Sequence, residues 1–176
     1  MDSGSADFWV GSETCTDCVS AVNARSSIDL LTLHNSQGDH ILLGTESSTS
    51  FVDSGRPFAV QYGTGNVSGS VVQDDVTISG LTLTGHTFGV ATSESQEFSS
   101  NRIPSDGLMG LAQSVRRSFL SNRTCKISLL YQTISEQRTL TPVEALAETK
   151  AISDAIVSYK LARVADNKND GEITFG

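Results

Sequence analysis

Asp2-Ser3-Gly4-Ser5-Ala6-Asp7-Phe8-Trp9-Val10 places an acid in a tight loop and runs directly into an apolar strand. Gly4 carries no Cβ, so the backbone can approach closely there. The hydroxyls of Ser3 and Ser5 can donate hydrogen bonds that orient a carboxylate and favour its ionised form. Alone, such a tetrapeptide is an ordinary turn. Its weight comes from what lies downstream.

Short strands separated by Gly-, Ser- and Thr-rich turns fill most of the remaining chain. Phe58, Val60 and Tyr62 alternate with Ala59 and Gln61, the period of a half-buried strand. Gly63-Thr64-Gly65-Asn66 reverses the chain into Val67–Val72, which predicts a hairpin. Val76–Ile78, Leu81–Leu83 and Thr87–Val90 continue the β pattern, with Ser79-Gly80 and Thr84-Gly85 read as turns between them. One helix is signalled by Thr141-Pro142-Val143-Glu144: a hydroxyl cap, proline in the first turn and glutamate three residues past the cap. Ser158–Arg163 and Glu172–Phe175 return to strand, with Asn169-Asp170-Gly171 read as a tight turn between them. The predicted class is mostly β with short helices.

The chain has 176 residues, enough for one domain or one lobe of a two-lobed protein. Its net charge of −8 argues against a nucleic-acid partner, which phosphate binding would draw to a basic patch. No run of about 18 apolar residues predicts a membrane-spanning helix. Charged residues make up only 18%. Such a surface gathers little positive charge when its carboxylates protonate, which is compatible with work in acid.

Three motifs in order decide the family. Asp2-Ser3-Gly4-Ser5 leads into Trp9-Val10, Tyr62-Gly63-Thr64-Gly65 sits in a hairpin, and Asp106-Gly107-Leu108-Met109-Gly110-Leu111-Ala112 follows. Together they resemble the N-terminal lobe of the pepsin-like aspartic endopeptidases of family A1, in a fungal-type form. The resemblance implies a pepsin-like acid protease fold, here one β-barrel-like lobe with a flap hairpin and short helices. It makes Asp2 one member of a catalytic pair. Ser3 keeps a hydroxyl where threonine is commoner, Gly4 completes the motif, and Ser5 would hydrogen-bond the Asp2 carboxylate. Tyr62 would lie on a flap over the substrate, its hydroxyl bonded to the Trp9 indole. Gly63 and Thr64 would contact the substrate backbone, and Leu108 would line a side-chain pocket. The implied reaction is peptide-bond hydrolysis by water activated between two aspartates. It uses no cofactor, no metal and no covalent intermediate, and its partners are polypeptide substrates. The implied location is secreted or vacuolar.

The chain departs from the family pattern at the second aspartate. A second Asp-Thr/Ser-Gly motif should come from a C-terminal lobe, and Asp53-Ser54-Gly55 does not serve, because Arg56-Pro57 follows it just before the flap strand. The expectation is that the second aspartate lies in a lobe outside these residues, and that further residues precede the abrupt start at Met1. The rival readings are a non-catalytic pepsin-fold binding protein and an inactive fragment.

Cys15 and Cys18 could form a small disulfide loop, a zinc half-site or a redox pair. Zinc needs two further ligands and a redox pair expects a βαβ setting, so a structural disulfide is the favoured reading, suited to an oxidising compartment. His34, His40 and His86 make no cluster. Asn66-Val67-Ser68 and Asn122-Arg123-Thr124 match the glycosylation pattern, but the first falls on the flap. Asp166–Gly171 hints at a calcium loop, yet Lys168 occupies a ligand position.

Two segments, 19–37 and 115–132, interrupt the resemblance. The first begins Val19-Ser20 and ends at Gln37; the second begins Val115-Arg116 and ends at Gln132. The codons GTAAGT, GTAAGA and CAG would encode these borders and are common intron boundaries. The hypothesis is that both segments are retained introns translated in frame; the alternative is two surface-loop insertions, which cost little in closure entropy. On the intron hypothesis Cys125 is foreign to the protein and the cysteine count becomes even. Transcript sequencing should then find mature message lacking both segments; message that keeps both would sink the hypothesis.

Overall fold

The computed structural model describes residues 1–18, 40–100, 102–120, 128–133, 135–163, 165, 168 and 170–176. Segment 19–37 lies outside these, as do His34, Asn122 and Cys125.

A five-stranded sheet carries the lobe. Its strands are β1 (Phe8–Gly11), β2 (Val52–Gln61), β3 (Asn66–Ile78), β4 (Leu81–Glu94) and β5 (Gly107–Met109), in the spatial order β2-β3-β4-β1-β5. The pairing of β1 with β4 is parallel and the other pairings are antiparallel. The fold is thus the mostly β architecture expected of a single pepsin-like N-terminal lobe. Among the described residues no helix is long and apolar enough to cross a membrane.

Alternation along the strands sorts side chains into two cores. Phe8, Val10, Val72, Val76, Phe88 and Val90 form one, closed by Leu146 of helix α2 (Pro142–Glu148). Trp9, Phe58, Val60, Val67, Val71 and Ala91 form the other, with Tyr62, Phe98 and Leu108 packed on its edge. Phe8 and Trp9 are neighbours in sequence and face opposite cores, as a period of two requires. Helix α2 has the cap predicted for it: the Thr141 side chain accepts from Glu144 N, and the Glu144 carboxylate accepts from Thr141 N. A short helix, α1 (Gln96–Ser99), lies beside β4 and was not signalled by the sequence.

Two predicted turns are corrected. Thr84-Gly85 does not end a strand: β4 runs through it, and the register against β3 shifts between Asp74 and Val76. Gly85 has φ 60° and its N–H donates to the Asp75 carboxylate at 2.8 Å, so the glycine accommodates a bulge. Ser79-Gly80 does make the β3–β4 turn. The second correction concerns β8 (Val157–Lys160) and β9 (Glu172–Phe175). Lys160 pairs with Glu172, which leaves 161–171 as a long connection where a tight turn was predicted. The cross-strand register sets that loop length, and a local Asp-Gly signal could not reveal it.

Strands β6 (Val115–Leu120) and β7 (Ser128–Thr133) pair with each other in a separate two-stranded sheet. Val115 stands opposite Thr133, and Ser135 N donates to Ser114 O at 3.3 Å. The interrupting segment therefore leaves and rejoins the lobe at one place.

Candidate active site

Asp2 sits in a loop gripped by the Asp106–Ala112 motif. Asp2 N donates to Met109 O at 2.9 Å, Leu111 N to Asp2 O at 2.8 Å, Ala112 N to Ser5 O at 3.0 Å and Gly110 N to Asp7 O at 2.9 Å. Gly110 is required here: a Cβ would stand 2.7 Å from Asp7 N, Asp7 O and Ser5 O. The motif thus holds the acid loop by its backbone.

Asp2 is half-buried, and its Oδ1 accepts the Gly4 N–H at 2.8 Å. The predicted bond from Ser5 is not formed: Ser5 Oγ is buried without a partner. The Asp2–Gly4 turn directs the carboxylate back onto its own loop, and Ser5 falls beyond it. Ser3 is exposed and faces a different hollow, with Leu111 and Tyr159.

The hairpin β2–β3 covers the acid. A cleft of about 620 Å³ is lined by Asp2, Gly4, Ser5 and Asp7 of the acid loop, by Ala59–Gly63 of the hairpin and by Glu136. Tyr62 N donates to Gly65 O at 2.7 Å and closes the hairpin tip. The predicted link between flap and core is present: Trp9 Nε1 donates to Tyr62 Oη at 2.8 Å. Trp9 is 1% exposed, so leaving its N–H unpaired would cost about 1–3 kcal/mol. Phe98 packs edge-on against both rings, its centroid 5.3 Å from each. Burial pushes the Tyr62 phenol up to about 12, against the opposing effect of its bond to Trp9, so it stays neutral. Gly63 lines the cleft; Thr64 is exposed at the tip and does not. Leu108 pairs with Trp9 across β1–β5 and packs on the Trp9 core, outside the cleft lining.

Two supports give no local signal in the sequence. Asp7 is 2% exposed and its carboxylate accepts from Ser135 Oγ at 2.8 Å, Gln137 N at 2.9 Å and Glu136 N at 3.2 Å. It ties the strand that follows the acid loop to the 135–137 segment. His40 Nδ1 lies 3.0 Å from Asp106 Oδ1, and Asp106 O accepts from Gly11 N at 3.1 Å, so the pair fixes the entry to β5. Cys15 and Cys18 are joined as a disulfide just beyond β1.

Comparison with known proteins gives the same family. A profile described as eukaryotic aspartyl protease matches residues 1–176. This chain belongs to the eukaryotic aspartyl protease family. Syncephapepsin of Syncephalastrum racemosum is 32% identical over the whole chain, which spans 35% of that protein. The vacuolar aspartic protease of Candida albicans is 27% identical, again over the whole chain and 34% of its own length. Major aspartyl peptidase 1 of Cryptococcus neoformans is 37% identical over 64% of the chain and 19% of its own length. The chain therefore spans about a third or less of the relatives it matches.

Elsewhere in the lobe, two groups titrate in opposite senses. Burial pushes the Glu94 carboxyl up from 4.5 to about 7, with His40 opposing the shift and Asp106 adding to it. Burial holds His86 down from 6.5 to about 4. Glu94 remains protonated in the folded protein at pH values where the unfolded chain has ionised it. Its contribution is complete below pH 4.5 and is lost as pH rises through 7. His86 works the other way, penalising the fold as pH falls below 6.5. Glu94→Gln should remove the first effect alone. Urea unfolding should show the wild type losing about 1 kcal/mol more than Glu94→Gln between those limits, after solvent screening. Equal losses in the two proteins would contradict the assignment.

Proposed function

We propose that this lobe supplies one half of an aspartic endopeptidase site, with Asp2 as one of its two acid–base carboxyls. The observation that carries the reading is the placement of Asp2 in a cleft roofed by Tyr62, whose hydroxyl is tied to Trp9 at 2.8 Å. A polypeptide lying in that cleft would be pressed between the acid loop and the flap. The second aspartate would come from the C-terminal part of the protein. Two carboxyls about 3 Å apart share one proton, because like charges that close cannot both ionise. The ionised member takes a proton from the attacking water while the protonated member polarises the scissile carbonyl.

The 176 residues alone offer one such carboxyl, so they should be inert. The surface is consistent with a missing partner lobe: Ile156, Tyr159 and Leu161 at the β8–β9 hairpin are exposed, Leu161 by 83%. Large apolar side chains exposed together on one hairpin suit an interface, and we assign it to the remainder of the protein. A secreted or vacuolar location suits the Cys15–Cys18 disulfide, since such bonds persist in oxidising compartments.

The test is digestion of haemoglobin or casein in acid by the whole gene product, with and without pepstatin. Cleavage that pepstatin abolishes is expected, with none from the 176-residue chain. Pepstatin-resistant cleavage by the whole protein, or turnover by the lobe as a monomer, would overturn the proposal.

A further inference from the structure

We propose that Glu136 selects substrates carrying a basic side chain close to the cleaved bond; the inference rests on the proteolytic reading above. The argument begins with how the residue is held. Ser135 and Gln137 on either side are 2% and 0% exposed. Both are bound to Asp7, through Ser135 Oγ and Gln137 N, and Gln137 Nε2 also donates to Phe8 O at 2.9 Å. Glu136 N itself donates to the second Asp7 oxygen. With its neighbours turned inward and its backbone pinned, the Glu136 side chain can only project outward. It does so at the border of the cleft that holds Asp2 and Tyr62.

The electrostatics then follow. Among the described residues, no lysine, arginine or histidine lines that cleft. Among the described residues Glu136 makes no ion pair; the pairs found there join His40 to Asp106 and Lys160 to Asp170. Arg56 directs its Nη1 to Gln137 O at 2.6 Å, and both Arg56 and Arg138 line a different hollow, with His86. A negative charge in a concave, partly desolvated groove attracts a cation more strongly than one on open surface. Asp7 cannot take this role, because its carboxylate already accepts three internal hydrogen bonds. The chemical class recognised is therefore a polypeptide with lysine or arginine within a few residues of the cut.

The experiment uses the whole gene product and a peptide set in which each position around the cut carries lysine, methionine or glutamate in turn. It is run at about pH 5.5, above the ordinary carboxylate range. Selectivity is read as a ratio of kcat/KM values within one preparation, so the amount of folded protein cancels. At one position the wild type should prefer lysine over methionine by about fivefold, the scale of a partly exposed ion pair. Glu136→Gln should bring that ratio to about one, and Glu136→Lys should turn the preference towards glutamate. A wild type without lysine preference at any position, or a preference that survives both substitutions, would overturn the inference while leaving the proteolytic reading intact. Failure of the wild type to cleave any of the peptides would remove both.

Discussion

Everything in the site depends on the backbone lock between the Asp2–Asp7 loop and Met109–Ala112. Four hydrogen bonds join two segments about a hundred residues apart in sequence. They form only because Gly110 allows two main chains to touch. The same four bonds fix the direction in which β1 leaves the loop, and so where Trp9 enters the core. A side chain at position 110 would separate the segments and release the acid from its place.

Trp9 carries that placement across the cleft. Its ring belongs to the second core, and its N–H reaches the flap at Tyr62. The acid loop and the flap are therefore positioned by one residue seven places after Asp2. The tether consists of one hydrogen bond and an edge-on contact between Tyr62 and Phe98. Asp7 extends the arrangement to the cleft border through the 135–137 segment. The floor, the roof and the border thus all derive their positions from the first nine residues.

Much of this could be read from the sequence. The alternation at Phe58–Tyr62, the capping box at Thr141 and the three ordered motifs depend on local chemistry, and the structure contains the corresponding hairpin, helix and acid loop. The failures have a shared cause. Thr84-Gly85 reads as a turn locally, but its partner strand accommodates it as a bulge. Asp170-Gly171 reads as a tight turn, but cross-strand register places it in a longer loop. Ser5 has the right chemistry to bond Asp2, but the turn at Gly4 takes that position. Glu136 gave no signal, because its exposure follows from the burial of Ser135 and Gln137 on a carboxylate about 130 residues away in sequence. Each depends on a tertiary partner that no local window contains.

The central claim is that Asp2 does acid–base chemistry. The direct measurement is kcat of the whole gene product carrying Asp2→Asn, a near-isosteric change that removes the ionisable proton. The account predicts a fall of about a thousandfold or more, the scale of losing a positioned acid–base group, with the fold intact. An Asp2→Asn protein that turns over peptide at close to the wild-type rate would contradict it.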